Sequence, residues 1–176
     1  MVHDAIAIAV PALLGAGLAL LSRCQAGKKS REETYKTRVL KHFSPVPQLL
    51  EGKAEICNLE LSRVYLMIDQ NYPCWVVLVP RIDGIREITE LTDSEQAQLW
   101  REVSLVSKAI QALYHPDKMN IAAIGNVVSQ LHVHITARLA SDPSWPGPCY
   151  GAVPAKEMSR IEVEQAVFTL QKAIKG

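Results

Sequence analysis

The sequence is poor in cysteine and nearly free of net charge. Its 176 residues contain four cysteines, at positions 24, 57, 74 and 149, and no Cys-x-x-Cys pair. These scattered thiols argue against a zinc ribbon and against a disulfide framework, so we expect free, buried cysteines. The formal net charge of +1 argues against binding of nucleic acid, because surfaces that bind it are strongly basic.

Internal repeats and low-complexity segments are also missing from the sequence. The length fits one domain with appendages, and the 48% hydrophobic content is ordinary for a globular protein. The organisation of the chain therefore has to be inferred from local patterns of apolar and polar residues.

An uncharged run of 18 residues occupies positions 5–22. As a helix it would extend about 27 Å, close to the ~30 Å hydrocarbon core of a bilayer. No lysine or arginine precedes the run, so the basic start of a signal peptide and the arginine-rich composition of a transit peptide are missing. We predict a membrane anchor over residues 1–27, with a processed targeting peptide and a buried soluble helix as the alternatives.

The charges around this run predict its orientation. Lysine and arginine follow it at positions 23, 28, 29 and 31, which places the rest of the chain on the cytoplasmic or matrix side of a single-pass membrane protein. A bacterial or mitochondrial inner membrane fits this orientation. A helical linker is predicted over residues 28–53, because Ser30–Glu33 has the spacing of a capping box and the prolines of Ser44–Pro47 end a helix.

Periodicity predicts an α+β domain over residues 54–176, with an antiparallel sheet and flanking helices. Strands are predicted over 55–69, 75–79, 119–124 and 131–139, the first two forming a hairpin. One helix begins at the capping box Thr92–Glu95 and ends at His115-Pro116; its apolar positions are Leu99, Trp100, Val103, Val106, Ile110 and Leu113. A second helix begins at Pro154, with a buried stripe of Met158, Ile161, Val167, Leu170 and Ile174.

Residues 130–138 carry the strongest candidate site, because apolar and polar residues alternate along them without exception. Alternation is typical of a half-buried strand, which directs Leu131, Val133, Ile135 and Ala137 into the core. The opposite face then carries a row of polar side chains about 7 Å apart, namely Gln130, His132, His134 and Thr136.

Three interpretations of the two histidines are open. They can be ordinary hydrogen-bonded residues on a sheet face. They can bind zinc, but a catalytic zinc site needs a third protein ligand. None of the candidates for this ligand lies at a spacing typical of zinc sites (His42, Asp83, His115, Asp142). They can act in covalent catalysis, in which one neutral imidazole attacks phosphorus while the second binds phosphate oxygens or assists the leaving group. We expect neither a metal nor another cofactor.

Several motifs in order resemble the histidine-triad (HIT) family over about residues 54–151. They are Cys57–Arg63, Trp75–Arg81, Asn120–Asn126, Gln130-Leu-His-Val-His134 with Arg138, and the Trp-Pro segment Asp142–Pro148. The pattern is similar to the bacterial-type branch that carries Gln-x-His-x-His. The resemblance implies an α+β half-barrel that commonly pairs into a homodimer, here preceded by one transmembrane helix.

The resemblance also implies an activity. Family members hydrolyse or transfer nucleotidyl groups, typically adenylate, from dinucleoside polyphosphates or nucleoside phosphoramidates. Matching Arg138 to the arginine that often ends the motif strand gives His132 the role of nucleophile and His134 that of the last histidine, with Gln130 in place of the first. Asp83 stands near the place where many members carry a further histidine.

Four further residues are expected to contact the substrate: Asn126, Ser129, Arg138 and Trp145. Asn126 and Ser129 can instead serve only the turn before the strand. Trp145 resembles a tryptophan that in some members reaches the partner subunit's pocket, but it can equally be a packing residue. Two functions follow: a membrane-tethered enzyme with a nucleotide substrate, or a catalytically weak or inactive accessory subunit of a membrane protein complex.

Overall fold

One antiparallel sheet organises the part of the chain that the structure describes. The structure is a computed structural model, and it describes residues 38–40 and 42–176. Within them, the sheet has five strands, β1 (Lys53–Asn58), β2 (Ser62–Met67), β3 (Cys74–Pro80), β4 (Lys118–Ala122) and β5 (Val133–Arg138). They pair in the order β1-β2-β3-β5-β4, and every pairing is antiparallel. The helices are α1 (Pro47–Leu50), α2 (Asp93–Tyr114) and α3 (Arg160–Lys175), with a 3₁₀ turn at Ile88–Glu90. The predicted α+β class with an antiparallel sheet is confirmed.

The single strand predicted over 55–69 is wrong, because this segment folds as the hairpin β1–β2. The turn between the two strands contains neither glycine nor proline. Its amides are held from a distance: the Glu102 carboxylate on α2 accepts from the backbone N–H groups of Leu61 at 2.6 Å and Ser62 at 2.9 Å. A turn that depends on a helix 40 residues away leaves no local signal in the sequence.

Helix α2 begins and ends where its capping residues predict. The Thr92 side chain accepts from the Glu95 amide, and the Glu95 side chain accepts from the Thr92 amide. At the other end His115 adopts the left-handed conformation, with φ of 44°. The inner face of the helix packs on the sheet, whereas Trp100 and Leu113, which were predicted to share the apolar stripe, are exposed.

Helix α3 begins at Arg160, six residues later than predicted. Ser159 and Glu162 form the capping box that starts it, and this Ser-x-x-Glu signal is present in the sequence. The preceding segment is extended, because Lys156 exchanges hydrogen bonds with the loop at Asp69 and Gln70. The predicted stripe is correct at Leu170 and Ile174, which are buried, and wrong at Ile161, which is exposed.

The compact unit begins at Arg38, within the segment predicted as a linker. Phe43 and Leu49 pack in one core cluster with Tyr65, Val77 and Val79, so they belong to the domain. The predicted anchor, with its apolar run at 5–22, and the capping box at 30–33 lie outside the described residues. In the described ranges, no helix has both the length and the apolar character needed to cross a membrane.

The cysteines of the described residues are buried and free of disulfide bonds, as expected for Cys57, Cys74 and Cys149. Burial raises the pKa of the Cys74 thiol to about 12, so this thiol stays protonated at neutral pH. Cys24 lies outside the described residues.

Candidate functional site

The two histidines lie at the start of β5, which pairs with β3 on one side and with β4 on the other. The predicted inward face is confirmed, because Leu131, Val133, Ile135 and Ala137 are all buried. The rings of His132 and His134 are 5.0 Å apart between centroids, so both project from the other face. The strand itself is shorter than predicted, because it begins at Val133.

The His132 ring is fixed by the backbone two residues earlier. Its Nδ1 lies 2.7 Å from the carbonyl oxygen of Gln130. A carbonyl oxygen can only accept, so Nδ1 carries the hydrogen, and the lone pair of the neutral ring is on Nε2. Burial lowers the pKa of His132, against a smaller opposing effect of the hydrogen bond to Gln130. At neutral pH the ring is therefore uncharged and Nε2 is available as a nucleophile.

The His134 ring has the opposite tautomer. The indole Nε1–H of Trp75, which can only donate, lies 2.9 Å from Nδ1 of His134. Nδ1 therefore accepts, and in the neutral ring the hydrogen is on Nε2. Burial lowers the pKa of His134 to about 3, with smaller contributions from His132 and Lys53. The two adjacent imidazoles thus offer one lone pair and one N–H donor, and neither carries a charge at neutral pH.

Both rings open into a pocket of about 190 Å³, here called the histidine pocket. Besides the histidines, its lining includes Gln48, Leu49, Lys53, Asn126, Val128 and Tyr150. A neighbouring pocket of about 340 Å³ shares Gln48, Val127 and Val128 with it and is also lined by Arg86, Ser129 and Gln130. The predicted residues Asn126 and Ser129 therefore fall in two adjoining pockets.

Gln130 does not point into the histidine pocket. Its side-chain oxygen accepts from the backbone N–H of Val46 at 2.9 Å. This contact ties the start of the motif to the segment that leads into α1, which supplies Gln48 and Leu49 to the pocket wall. The side chain of Gln130 is thus separated from the two histidine rings, although its backbone orients one of them.

Arg138 is part of the interior and lines neither pocket. Its guanidinium forms a two-pronged ion pair with Asp142 at 2.7 and 2.8 Å, and both side chains are only 1% exposed. The remaining N–H groups donate to Asn120, Ser144 and the carbonyl of Gly147. The donors of Arg138 are thus occupied by partners within the protein.

The loop of residues 142–149 contacts Arg138 and covers the end of the predicted polar row, at Thr136. Thr136 is completely buried, with Cys149 of this loop 3.7 Å from its hydroxyl. Trp145 is 40% exposed, lies over the Arg138 guanidinium at 5.9 Å, and lines neither pocket. The structure therefore brings together His132, His134 and Asn126, and separates them from Arg138 and Trp145.

Trp75, Lys53, Gln48 and Tyr150 were missed in the sequence. Trp75 is directly opposite Thr136 in the β3–β5 pairing, so its side chain shares a face with His134. Finding it required the register between two strands whose residues Trp75 and His134 are 59 positions apart in sequence, and local periodicity says nothing about that register. Lys53 and Gln48 come from the segment predicted as a linker.

In the described ranges, no group of three histidine, cysteine, aspartate or glutamate side chains is placed to hold a metal ion.

The comparisons with known proteins agree with the geometry. The HIT domain model matches residues 52–140 of the chain, which is half of it. A histidine triad protein from Bradyrhizobium japonicum is 42% identical, with a TM-score of 0.72, covering 75% of this chain and 98% of its own. A second one, from Marinobacter aquaeolei, is 38% identical, with a TM-score of 0.72, covering 76% of this chain and 96% of its own.

A third histidine triad protein, from Sinorhizobium meliloti, is 35% identical, with a TM-score of 0.72, covering 75% of this chain and 97% of its own. A search among curated proteins gives no match. The matched segment contains all five strands and both site histidines. The chain belongs to the histidine triad (HIT) family.

Proposed function

We propose that the chain is a nucleotide hydrolase or nucleotidyl transferase that uses His132 as its nucleophile. The proposed substrates are adenylate-containing phosphoramidates and dinucleoside polyphosphates. The observation that carries the proposal is the complementary pair of neutral imidazoles, in which His132 offers a lone pair and His134 an N–H group. An attacking nitrogen beside a donor for phosphate oxygens is what transfer of a nucleotidyl group requires.

In the first step, the Nε2 lone pair of His132 forms a bond to the α-phosphorus. The bond from phosphorus to the leaving group breaks, and its electron pair departs with that amine or nucleotide, which takes a proton from water. The ring acquires a positive charge that its Nδ1–H shares with the carbonyl oxygen of Gln130, 2.7 Å away. This hydrogen bond becomes stronger as the charge develops, because charge-assisted hydrogen bonds are about twice as strong as neutral ones.

In the second step, water attacks the phosphorus of the phosphoramidate intermediate. The N–P bond breaks, its electron pair returns to Nε2 of His132, and the attacking water loses a proton. The products are a nucleoside monophosphate and the neutral ring, ready for another cycle. If a second nucleophile replaces water, the same intermediate leads to transfer instead of hydrolysis.

The pocket supports this chemistry through its polar lining. Lys53 and Asn126 face the same space as the two rings, and each can donate to phosphate oxygens. Gln130, proposed from the motif as a third catalytic side chain, is given a backbone role here: its carbonyl holds His132, while its amide is engaged with Val46.

The test is turnover of adenosine phosphoramidate and diadenosine polyphosphates by the full chain, compared with His132→Asn. We expect adenylate release by the wild type, and a loss to background in the variant because the nucleophile is gone. His115→Asn is the matched control, since His115 is an exposed helix cap in the left-handed conformation, which asparagine accepts readily. A rapid quench followed by intact-protein mass measurement should reveal one adenylyl group on the wild type alone.

Unchanged turnover in His132→Asn would contradict the assigned nucleophile. No turnover of any substrate by the wild type would contradict the enzymatic proposal and favour the accessory role in a membrane complex. Purification from the native membrane would then show whether partner subunits accompany the chain.

We also propose that residues 5–22 tether the protein to a membrane, with the HIT domain on the cytoplasmic or matrix side. The support is the uncharged run of 18 residues and the basic residues that follow it. Alkaline carbonate extraction should leave the full chain in the membrane and release a chain that starts at residue 38. Release of both would contradict the tether.

A further inference from the structure

We propose that Trp75 is a positioning residue that fixes His134 in the tautomer carrying its hydrogen on Nε2. The assignment of the tautomer rests on geometry alone. The role of that N–H group as a donor to the transferred phosphate rests on the proposed function. Trp75 comes from β3 and His134 from β5, so the contact joins the two central strands at the site.

The indole N–H group of Trp75 favours only one of the two tautomers of the His134 ring. Nε1 of Trp75 donates to Nδ1 of His134 at 2.9 Å, and an indole nitrogen has no lone pair to accept with. A hydrogen on Nδ1 would face the indole hydrogen and leave both groups unpaired in a buried place. Because an unpaired polar group in a buried place is costly, the ring is kept in one tautomer.

The tryptophan is itself held in place. It is 7% exposed, and its ring makes edge contacts with Tyr72 at 5.5 Å and Tyr150 at 5.6 Å. Tyr150 also lies 5.1 Å from the His134 ring. These aromatic contacts hold the donor in the orientation that the hydrogen bond needs.

The surroundings of His134 explain why a neutral donor is required for this role. The charged or titratable side chains near it are His132, Lys53 and Tyr150, and none of the described residues that line the pocket is acidic. Burial disfavours the charged form of the His134 ring and so lowers its pKa, and His132 and Lys53 add to this effect. The neutral ring can bind a phosphate oxygen only through its N–H group, and the other tautomer would turn a lone pair towards that oxygen.

The first measurement is the nitrogen spectrum of histidine in the resting protein, which separates protonated from unprotonated ring nitrogens. We expect the wild type to show Nε2 protonated and Nδ1 unprotonated at His134. In Trp75→Phe, which keeps an aromatic ring and removes the donor, we expect both nitrogens to shift towards averaged positions. Trp100→Phe is the matched control, because Trp100 is 50% exposed on α2 and should leave the His134 signals unchanged.

Turnover gives the second measurement. Removing one donor to a transition state outright costs about 10²–10³-fold in kcat. Freeing the tautomer should cost far less: if about half of the rings carry the hydrogen on Nδ1, only about half of the molecules are competent, and kcat should fall about two-fold, with a smaller change in KM. Because phenylalanine is smaller than tryptophan, a second variant replaces Trp75 with benzothienylalanine, which keeps the shape of the indole and has sulfur in place of the N–H. Both variants should give the same spectrum and the same fall in kcat.

Protonation of Nδ1 in wild-type His134 would overturn the proposal, and so would an unaltered Nε2–H signal in both Trp75 variants. A changed tautomer with unchanged kcat would overturn the role of the N–H group in the reaction. If the wild type turns over no substrate, the proposed function fails while the spectrum still decides the assignment of the tautomer.

Discussion

Replacement of Arg138 by methionine separates a structural role for this residue from a role in binding substrate. Arg138 and Asp142 form a pair that is 1% exposed on both sides, with an Nε to Oδ2 distance of 2.7 Å. Methionine keeps much of the length of the side chain and removes all five donors. The Asp142 carboxylate then stays buried, with only the amide and hydroxyl of Ser144 to stabilise it.

The expected cost is large because one partner of a buried ion pair is left alone. Such a change destabilises by about 3–5 kcal/mol. For a chain of this size each kcal/mol lowers Tm by about 2–4 °C, so the melting temperature should fall by about 6–20 °C. Urea unfolding followed by far-UV circular dichroism measures the same difference as a lower midpoint.

The chain contains a matched control in Arg160. Its Nε lies 2.7 Å from Glu164, with the same i,i+4 spacing and the same distance as in the buried pair, but the two side chains are 90% and 61% exposed. Arg160→Met should therefore change the free energy of unfolding by less than about 0.5 kcal/mol. The comparison isolates burial as the cause, since the chemistry of the two substitutions is identical.

A second variant removes the orphaned charge. Arg138→Met combined with Asp142→Leu should recover part of the loss, because the buried carboxylate is gone. The reasoning is refuted if Arg138→Met is as stable as the wild type and instead raises KM for the nucleotide. That result would restore the contact with substrate that the sequence predicts for Arg138.

Two other predictions concern stability. The pKa of His134 falls from 6.5 to about 3 on folding, so the unfolded chain takes up a proton that the folded chain excludes. Stability should decrease as the pH falls from about 6.5 towards 3, by at most about 4–5 kcal/mol, and unfolding midpoints of His134→Gln should show a shallower pH dependence. Glu102→Ala should cost about 2–4 kcal/mol, because two backbone amides of the β1–β2 turn lose their partner. Glu164→Ala, at an exposed position, is the control, and equal midpoints for the two variants would contradict the role of Glu102.

The motif strand could be predicted because its information is local. Alternation along residues 130–138 separates the buried Leu131, Val133, Ile135 and Ala137 from the histidines, and no other part of the chain is needed for that inference. The capping boxes at Thr92 and Ser159 are local in the same way, although Pro154 offers a competing start signal for the last helix. Local signals therefore accounted for the strand, for both ends of α2 and for the fold class.

The rest of the site depends on contacts between distant segments. Alternation places Thr136 and the histidines on one face, but it does not reveal that a loop pinned by Arg138 covers half of that face. The sequence predicts that Arg138 contacts substrate, and nothing in it indicates that Asp142 forms an ion pair with this arginine. Trp75 contacts His134 because of the register between β3 and β5, which the sequence does not reveal. Lys53 lines the same pocket, but it comes from a segment without strong periodicity.

The hydrogen bond between His132 and the carbonyl of Gln130 explains how glutamine can replace the first histidine of the motif. The acceptor for Nδ1 belongs to the main chain of residue 130, and every amino acid supplies a carbonyl. The side chain at position 130 can therefore vary without changing the orientation of the His132 ring. Here the Gln130 side chain accepts a hydrogen bond from the backbone N–H of Val46, just before the strand begins. A motif written with three imidazoles can thus lose the first one without changing the orientation of the second ring.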